Sequence, residues 1–162
     1  MVLDLSQVLT NPGMSVNVDE NIALCDVSIN GQDIHFTKPV KVSGTVKNIS
    51  GVLYMELKCN ANFETQCSRC LDTVSEELDF EVNERLSKMS SDEEVLLIDS
   101  HEFDLDETVV KSFGLELPIN YICSDNCKGL CHVCGCNLNH QNCDCEDDNI
   151  DPRLAALKDF LK

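Results

Sequence analysis

The chain has 162 residues, enough for one ordinary domain, or one with a small appendage, and for a real hydrophobic core. Twelve Lys and Arg stand against 29 Asp and Glu, a formal net charge of −17 at pH 7. That charge disfavours direct RNA or DNA binding, since non-specific nucleic-acid affinity comes from Lys and Arg neutralising phosphates, and it favours a basic protein partner. No run approaches the ~18 apolar residues of a membrane span.

The N-terminus, Met1 to Gln7, has no basic region and meets an acid at Asp4, so it does not read as a signal peptide and the chain is expected in the cytoplasm. Thiols stay reduced there, which makes metal ligation the default for close-spaced cysteines among the 11 present. With six Phe, two Tyr and no Trp, the core must rest on Val, Leu and Ile.

Residues 1 to about 100 read as β structure. Ser15–Val18, Leu24–Ile29 and Ile34–Phe36 are short strand candidates, followed by an alternating segment with Val40, Val42 and Val46. Asn48-Ile49-Ser50-Gly51 supplies turn residues. Leu53, Met55, Leu57, Cys59, Ala61 and Phe63 then alternate strictly with polar neighbours, the period of a strand with one buried face. A third run places Val74, Leu78, Phe80 and Val82 on one face. Three consecutive strands with short links imply an antiparallel meander. Val95–Asp99 is a further weak strand.

The spacing of Leu105, Val109, Phe113 and Leu117 predicts an amphipathic helix over 105–117, opened by Asp104 with Glu107 three residues on and ended by Pro118. Gly114 weakens its interior by about 1 kcal/mol relative to Ala. From Cys123 to Cys145 almost no large apolar residue occurs, so this stretch cannot fold by burial alone. A last short helix starts at Asp151 and Pro152, with Leu154, Leu157, Phe160 and Leu161 on one face; it is marginal alone and must dock on something. The fold class is therefore α+β: an antiparallel β body with one main helix over 1–120, then a cysteine-rich segment and a C-terminal helix over 121–162, packed as one unit.

Cysteines carry the chemistry. Cys67-Ser68-Arg69-Cys70 lies in a link between strands, and Cys123, Cys127, Cys131, Cys134, Cys136, Cys143 and Cys145 follow the main helix. A Cys-x-x-Cys turn brings two sulfurs within reach of one tetrahedral ion at about 2.3 Å per bond. Cys131-His132-Val133-Cys134-Gly135 is the stronger instance, because glycine after the second cysteine permits positive φ and lets amides turn back on the thiolates. The preferred arrangement is two zinc ions, one held by Cys67, Cys70, Cys123 and Cys127, the other by Cys131, Cys134, Cys143 and Cys145. A rival single site takes Cys127, Cys131, Cys134 and one of Cys143 or Cys145, with Cys136, His132 and His140 as alternates. An iron–sulfur cluster would use the same ligand type. Structural zinc contributes an apparent ~10–16 kcal/mol, comparable with a domain's net stability of about 5–15 kcal/mol.

A catalytic site is not expected. Catalytic zinc keeps an open position among commonly histidine-rich ligands, whereas sulfur ligands here suffice to close each set. No histidine pair, Gly-rich phosphate loop or small-molecule site is evident. A thiol oxidoreductase centred on Cys67 and Cys70 is disfavoured because such motifs usually open a helix; here the motif lies between strands.

Four segments together resemble the large ribosomal RNA subunit accumulation protein family, the YceD-like proteins of bacteria and plastids. They are Cys67-Ser68-Arg69-Cys70-Leu71, Glu116-Leu117-Pro118, Cys127 through Gly135, and Asp151-Pro152-Arg153-Leu154-Ala155-Ala156-Leu157. The second cysteine cluster is similar to that of Gram-positive members. The resemblance implies a non-enzymatic role in accumulation of large-subunit ribosomal RNA, with a basic ribosomal protein or pre-ribosomal particle as partner, since the family's gene often neighbours that of such a protein. Distant members lack most of the second cluster, which implies that zinc is structural reinforcement. Two other classes stay open: a zinc-dependent nucleic-acid-binding protein, and a thiol redox or metal-handling protein.

Overall fold

The structure, a computed structural model, describes residues 1–88, 95–98 and 101–145. In chain order these form β1 (Val2–Asp4), α1 (Ser6–Thr10), β2 (Ser15–Ile22), β3 (Val27–Ile29), β4 (Gln32–Phe36), β5 (Val40–Ile49), β6 (Val52–Gln66), β7 (Thr73–Ser87), β8 (Leu96–Leu97), β9 (Glu102–Asp104) and α2 (Leu105–Glu116). The fold is mostly antiparallel sheet with two helices among the described residues. The helix expected over 151–161 lies outside them.

β6 organises the body. Its odd-numbered side chains from Leu53 to Thr65 are buried, and every even-numbered one between them is exposed or half-buried. Alternation in the sequence therefore translates directly into one core face. β7 runs antiparallel along one edge of β6 from Leu53↔Leu86 to Gln66↔Thr73. The other edge is shared: β5 pairs from Ile49↔Val52 to Lys41↔Asn60, and β4 pairs at Phe36↔Phe63 and His35↔Glu64. β2 extends the sheet beyond β5, and β3 extends it beyond β4. The β5–β6 turn forms at Ser50 and Gly51, both at positive φ, as the sequence expected. The parallel contact of β8 with β7 departs from an all-antiparallel meander.

α2 covers the core face. Leu105, Val109 and Phe113 are fully buried, and the Phe113 ring stands 5.1 Å from Phe63, 5.2 Å from Phe36 and 5.6 Å from Phe80. Asp104 caps the helix by accepting the Asp106 N–H at 3.0 Å. Leu117, before Pro118, is already extended. Gly114, a weak helix former, has a packing reason: a Cβ there would meet Ile29 Cγ2 at 3.3 Å.

The amino-terminal region differs from the all-β expectation. Ser6–Thr10 is helical, five residues too short to show a period. Tertiary contacts hold it: Val8 is buried, and buried Asn48 donates Nδ2–H to the Val8 carbonyl at 2.6 Å. β1 pairs with β9, joining the chain's start to the approach to α2.

Candidate metal centre

The turn between β6 and β7 folds as a knuckle. Leu71 N–H donates to the Cys67 carbonyl at 3.0 Å, Cys67 N–H donates to the Asp72 carbonyl at 2.8 Å, and Leu71 takes φ 63°. This places Cys67 and Cys70 side by side at the sheet's end, with Cys67 fully buried. The chain leaving α2 then crosses them: Ser68 N–H donates to the Tyr121 carbonyl at 2.8 Å, and Cys123 N–H to Cys67 Sγ at 3.4 Å. The ligating atoms of Cys67, Cys70, Cys123 and Cys127 lie within 4.8 Å of one another. Cys67–Cys127 are 3.9 Å apart and Cys70–Cys123 3.5 Å. Sulfurs bonded tetrahedrally at about 2.3 Å would stand about 3.8 Å apart, so the set is close to the spacing that one ion needs.

A second knuckle follows. Gly135 N–H donates to the Cys131 carbonyl and Cys131 N–H to the Cys136 carbonyl, both at 2.8 Å. Gly135 takes φ +73°, as the motif required. Here the sulfurs within 4.8 Å of one another are Cys131, Cys134, Cys136 and Cys143. Cys143 lies 3.4 Å from Cys131 and 3.5 Å from Cys134. Cys136, an alternate in the sequence reading, thus stands in the place given to Cys145. Cys145 is close by and exposed, its N–H on Cys143 Sγ at 3.4 Å and its thiol pushed up to about 12 by a hydrogen bond with Cys143. Cys136 is likewise pushed up to about 12, by Cys134. Five thiols thus gather at this knuckle.

Backbone amides support the thiolate form at both knuckles. Burial alone would raise Cys67, but the amides of Arg69, Cys123 and Cys70 outweigh it and bring the thiol to about 6. The amide of Cys136, then its thiol, lowers Cys134 to about 6. Cys131 is lowered by the amides of Cys134 and Val133. Cys127 is lowered by the Asn139 side chain, whose Nδ2 stands 3.4 Å from its sulfur, and by the amide of Gly129. A donor two residues after the cysteine recurs at Cys67, Cys127, Cys131, Cys134 and Cys143. Amides aimed at sulfur are the support a charged ligand set needs.

The two knuckles are tied together by residues the sequence left without roles. Arg69 donates Nη1–H to the Cys127 carbonyl at 3.2 Å, and its own carbonyl accepts Leu130 N–H at 3.0 Å. Gly129 passes so close that a Cβ would stand 3.2 Å from that carbonyl. Asn137 donates Nδ2–H to Asp72 Oδ1 at 2.9 Å, and His140 Nε2 lies 3.0 Å from Asp72 Oδ2, so this histidine meets a carboxylate and not a sulfur set. Asn137 lowers the Asp72 carboxyl below its usual range. Asn and His in a cysteine-rich run were the available signal, but only folding shows that Asp72 gathers them. Cys25 is exposed and Cys59 buried on β6; neither joins a set.

Comparison with known proteins places these features in a lineage. A protein of Mycobacterium leprae with no assigned role is 24% identical over 174 residues, covering 99% of this chain and 77% of its own length. YlbN of Bacillus subtilis, also without an assigned role, is 25% identical over 156 residues, covering 93% and 91%. A maize chloroplast protein, the large ribosomal RNA subunit accumulation protein YCED homolog 1, is 37% identical over 62 residues, 38% of this chain and 21% of that one. No solved structure matches. The family model described as large ribosomal RNA subunit accumulation protein YceD matches residues 55–161, from β6 through both cysteine sets, and the chain belongs to that family.

Proposed function

We propose that this protein is a non-enzymatic accessory factor in the accumulation of large-subunit ribosomal RNA. It acts in the cytoplasm through contacts with a basic ribosomal protein or a pre-ribosomal particle, with two structural zinc ions. Family membership over residues 55–161 carries the reading. The net charge of −17 supports a basic protein contact over an RNA one.

Zinc suits the donor sets. Cys67, Cys70, Cys123 and Cys127 take one ion; Cys131, Cys134 and Cys143 take the second, with Cys136 or Cys145 completing it. Four sulfur ligands leave no open position, so the ion cross-links and does not activate water. It would fasten the β6–β7 turn to the segment after α2, making the 1–120 body and the 121–162 segment one unit. Thiol redox chemistry would draw on the lowered Cys67, but that sulfur is fully buried and ringed by amides.

The test is affinity capture of the tagged full chain from an extract of its own cells at low salt, with and without nuclease. Enrichment of large-subunit ribosomal proteins and precursor RNA, with the proteins retained after nuclease, is expected. Enrichment of neither, or loss of every protein with nuclease, would overturn the proposal.

A further inference from the structure

The two sulfur sets differ in access. In the first, Cys67, Cys70 and Cys127 are buried and Cys123 alone is exposed. In the second, Cys131 is buried, Cys136 and Cys143 are half-buried and Cys134 is exposed, with the exposed Cys145 beside them. A ligand arriving from solvent therefore meets the second set first.

They differ also in number. Neither Cys25 nor Cys59 joins the first set. At the second, Cys136 and Cys145 border the same pair of sulfurs, each thiol hydrogen-bonding to Cys134 and to Cys143. Cys131 stands 3.4 Å from Cys143 and makes the third common member. The two remaining thiols come from separate stretches of chain. Cys136 belongs to the knuckle, its carbonyl accepting Cys131 N–H at 2.8 Å, whereas Cys145 follows Cys143, to whose sulfur its N–H donates at 3.4 Å. Zinc has no directional preference from its d electrons and tolerates a fifth ligand in passing. A spare thiol at hand thus replaces a bound one without the shell first falling open. A buried set of four has no such route.

We propose that the second set exchanges its zinc ion, with Cys136 and Cys145 alternating at one position, so that this ion passes to or from another thiol-bearing ligand while the ion of the first set stays. Cys145 gives up its thiol proton to water as it takes the position, Cys136 takes a proton from water as it leaves, and no electron moves. The proposal rests on the reading of two zinc ions and divides them into a staple and a cargo.

The test is zinc release from the zinc-loaded full chain to a chromophoric pyridylazoresorcinol chelator, with hydrogen exchange followed at the amides of Leu71 and Gly135. These two amides close the first and second knuckles in the same way, so each reports on its own set. One fast and one slow ion are expected, with Gly135 opening alongside the fast ion and Leu71 alongside the slow one. Cys145→Ser and Cys136→Ser should each slow the fast ion by ~10-fold or more, because a tethered ligand acts at high effective concentration. A single common rate, Leu71 opening first, or an unchanged fast rate in both variants would overturn the proposal. Should one variant fail to fold, the other variant and the order of opening in the unaltered chain decide. Two ions leaving together remove only the exchange, whereas a chain that takes up fewer than two removes the two-ion reading and the exchange with it.

Discussion

A cysteine sulfur two residues before an amide that faces it is the recurring unit of this protein. Cys131, Cys134 and Cys143 each receive such an amide, while Cys136 and Cys145 are raised by their thiol neighbours. Cys136→Ser and Cys145→Ser should therefore each retain two zinc ions per chain, with the double variant retaining one; native mass spectrometry reads the count. Cys59 makes a different prediction. Burial pushes its thiol up to about 11 from an ordinary 9.0, so the folded state disfavours the thiolate. Its contribution is whole below pH 9 and fades as pH rises toward 11, by at most about 2–3 kcal/mol. Denaturant melts of Cys59→Val should lack that part of the alkaline loss. Ligand candidates were legible as residue types at knuckle spacing. The roles of Asp72, Asn137 and Arg69 were not, since each depends on a contact across about 60 positions of chain.

At the scale of elements, strands with one buried face were readable and supported ones were not. β5, β6 and β7 announce themselves through alternation, and α2 through Leu105, Val109 and Phe113. α1 and β1 carry no period; the first exists because Asn48 and the core hold it. Phe113, meeting three other phenylalanine rings, is the pin between helix and sheet. Phe113→Ala should cost about 3–5 kcal/mol in a urea melt. The 123–145 segment has no such pin. Its buried residues include Cys127 and Cys131, and on the proposed reading sulfur ligation replaces apolar packing there. Chelation should release amides 123–145 to rapid hydrogen exchange while β5, β6 and β7 stay protected, because their ladder and core do not depend on the metal.

For the whole molecule, charge sets the association behaviour. A net −17 would steer the proposed basic partner at low ionic strength, and screening shortens that reach to about 10 Å at 0.1 M salt. Capture of ribosomal proteins should accordingly weaken as salt rises. The charge and family were readable from the residues. Among the described residues no helix is long and apolar enough to cross a membrane. The most direct test of sulfur-held zinc as the organiser of the cysteine-rich segment is metal counting by native mass spectrometry on protein purified without oxidation, paired with hydrogen exchange over 123–145. Two zinc ions per chain and protection that vanishes on chelation are expected; a fully protected segment in protein carrying no transition metal would contradict it.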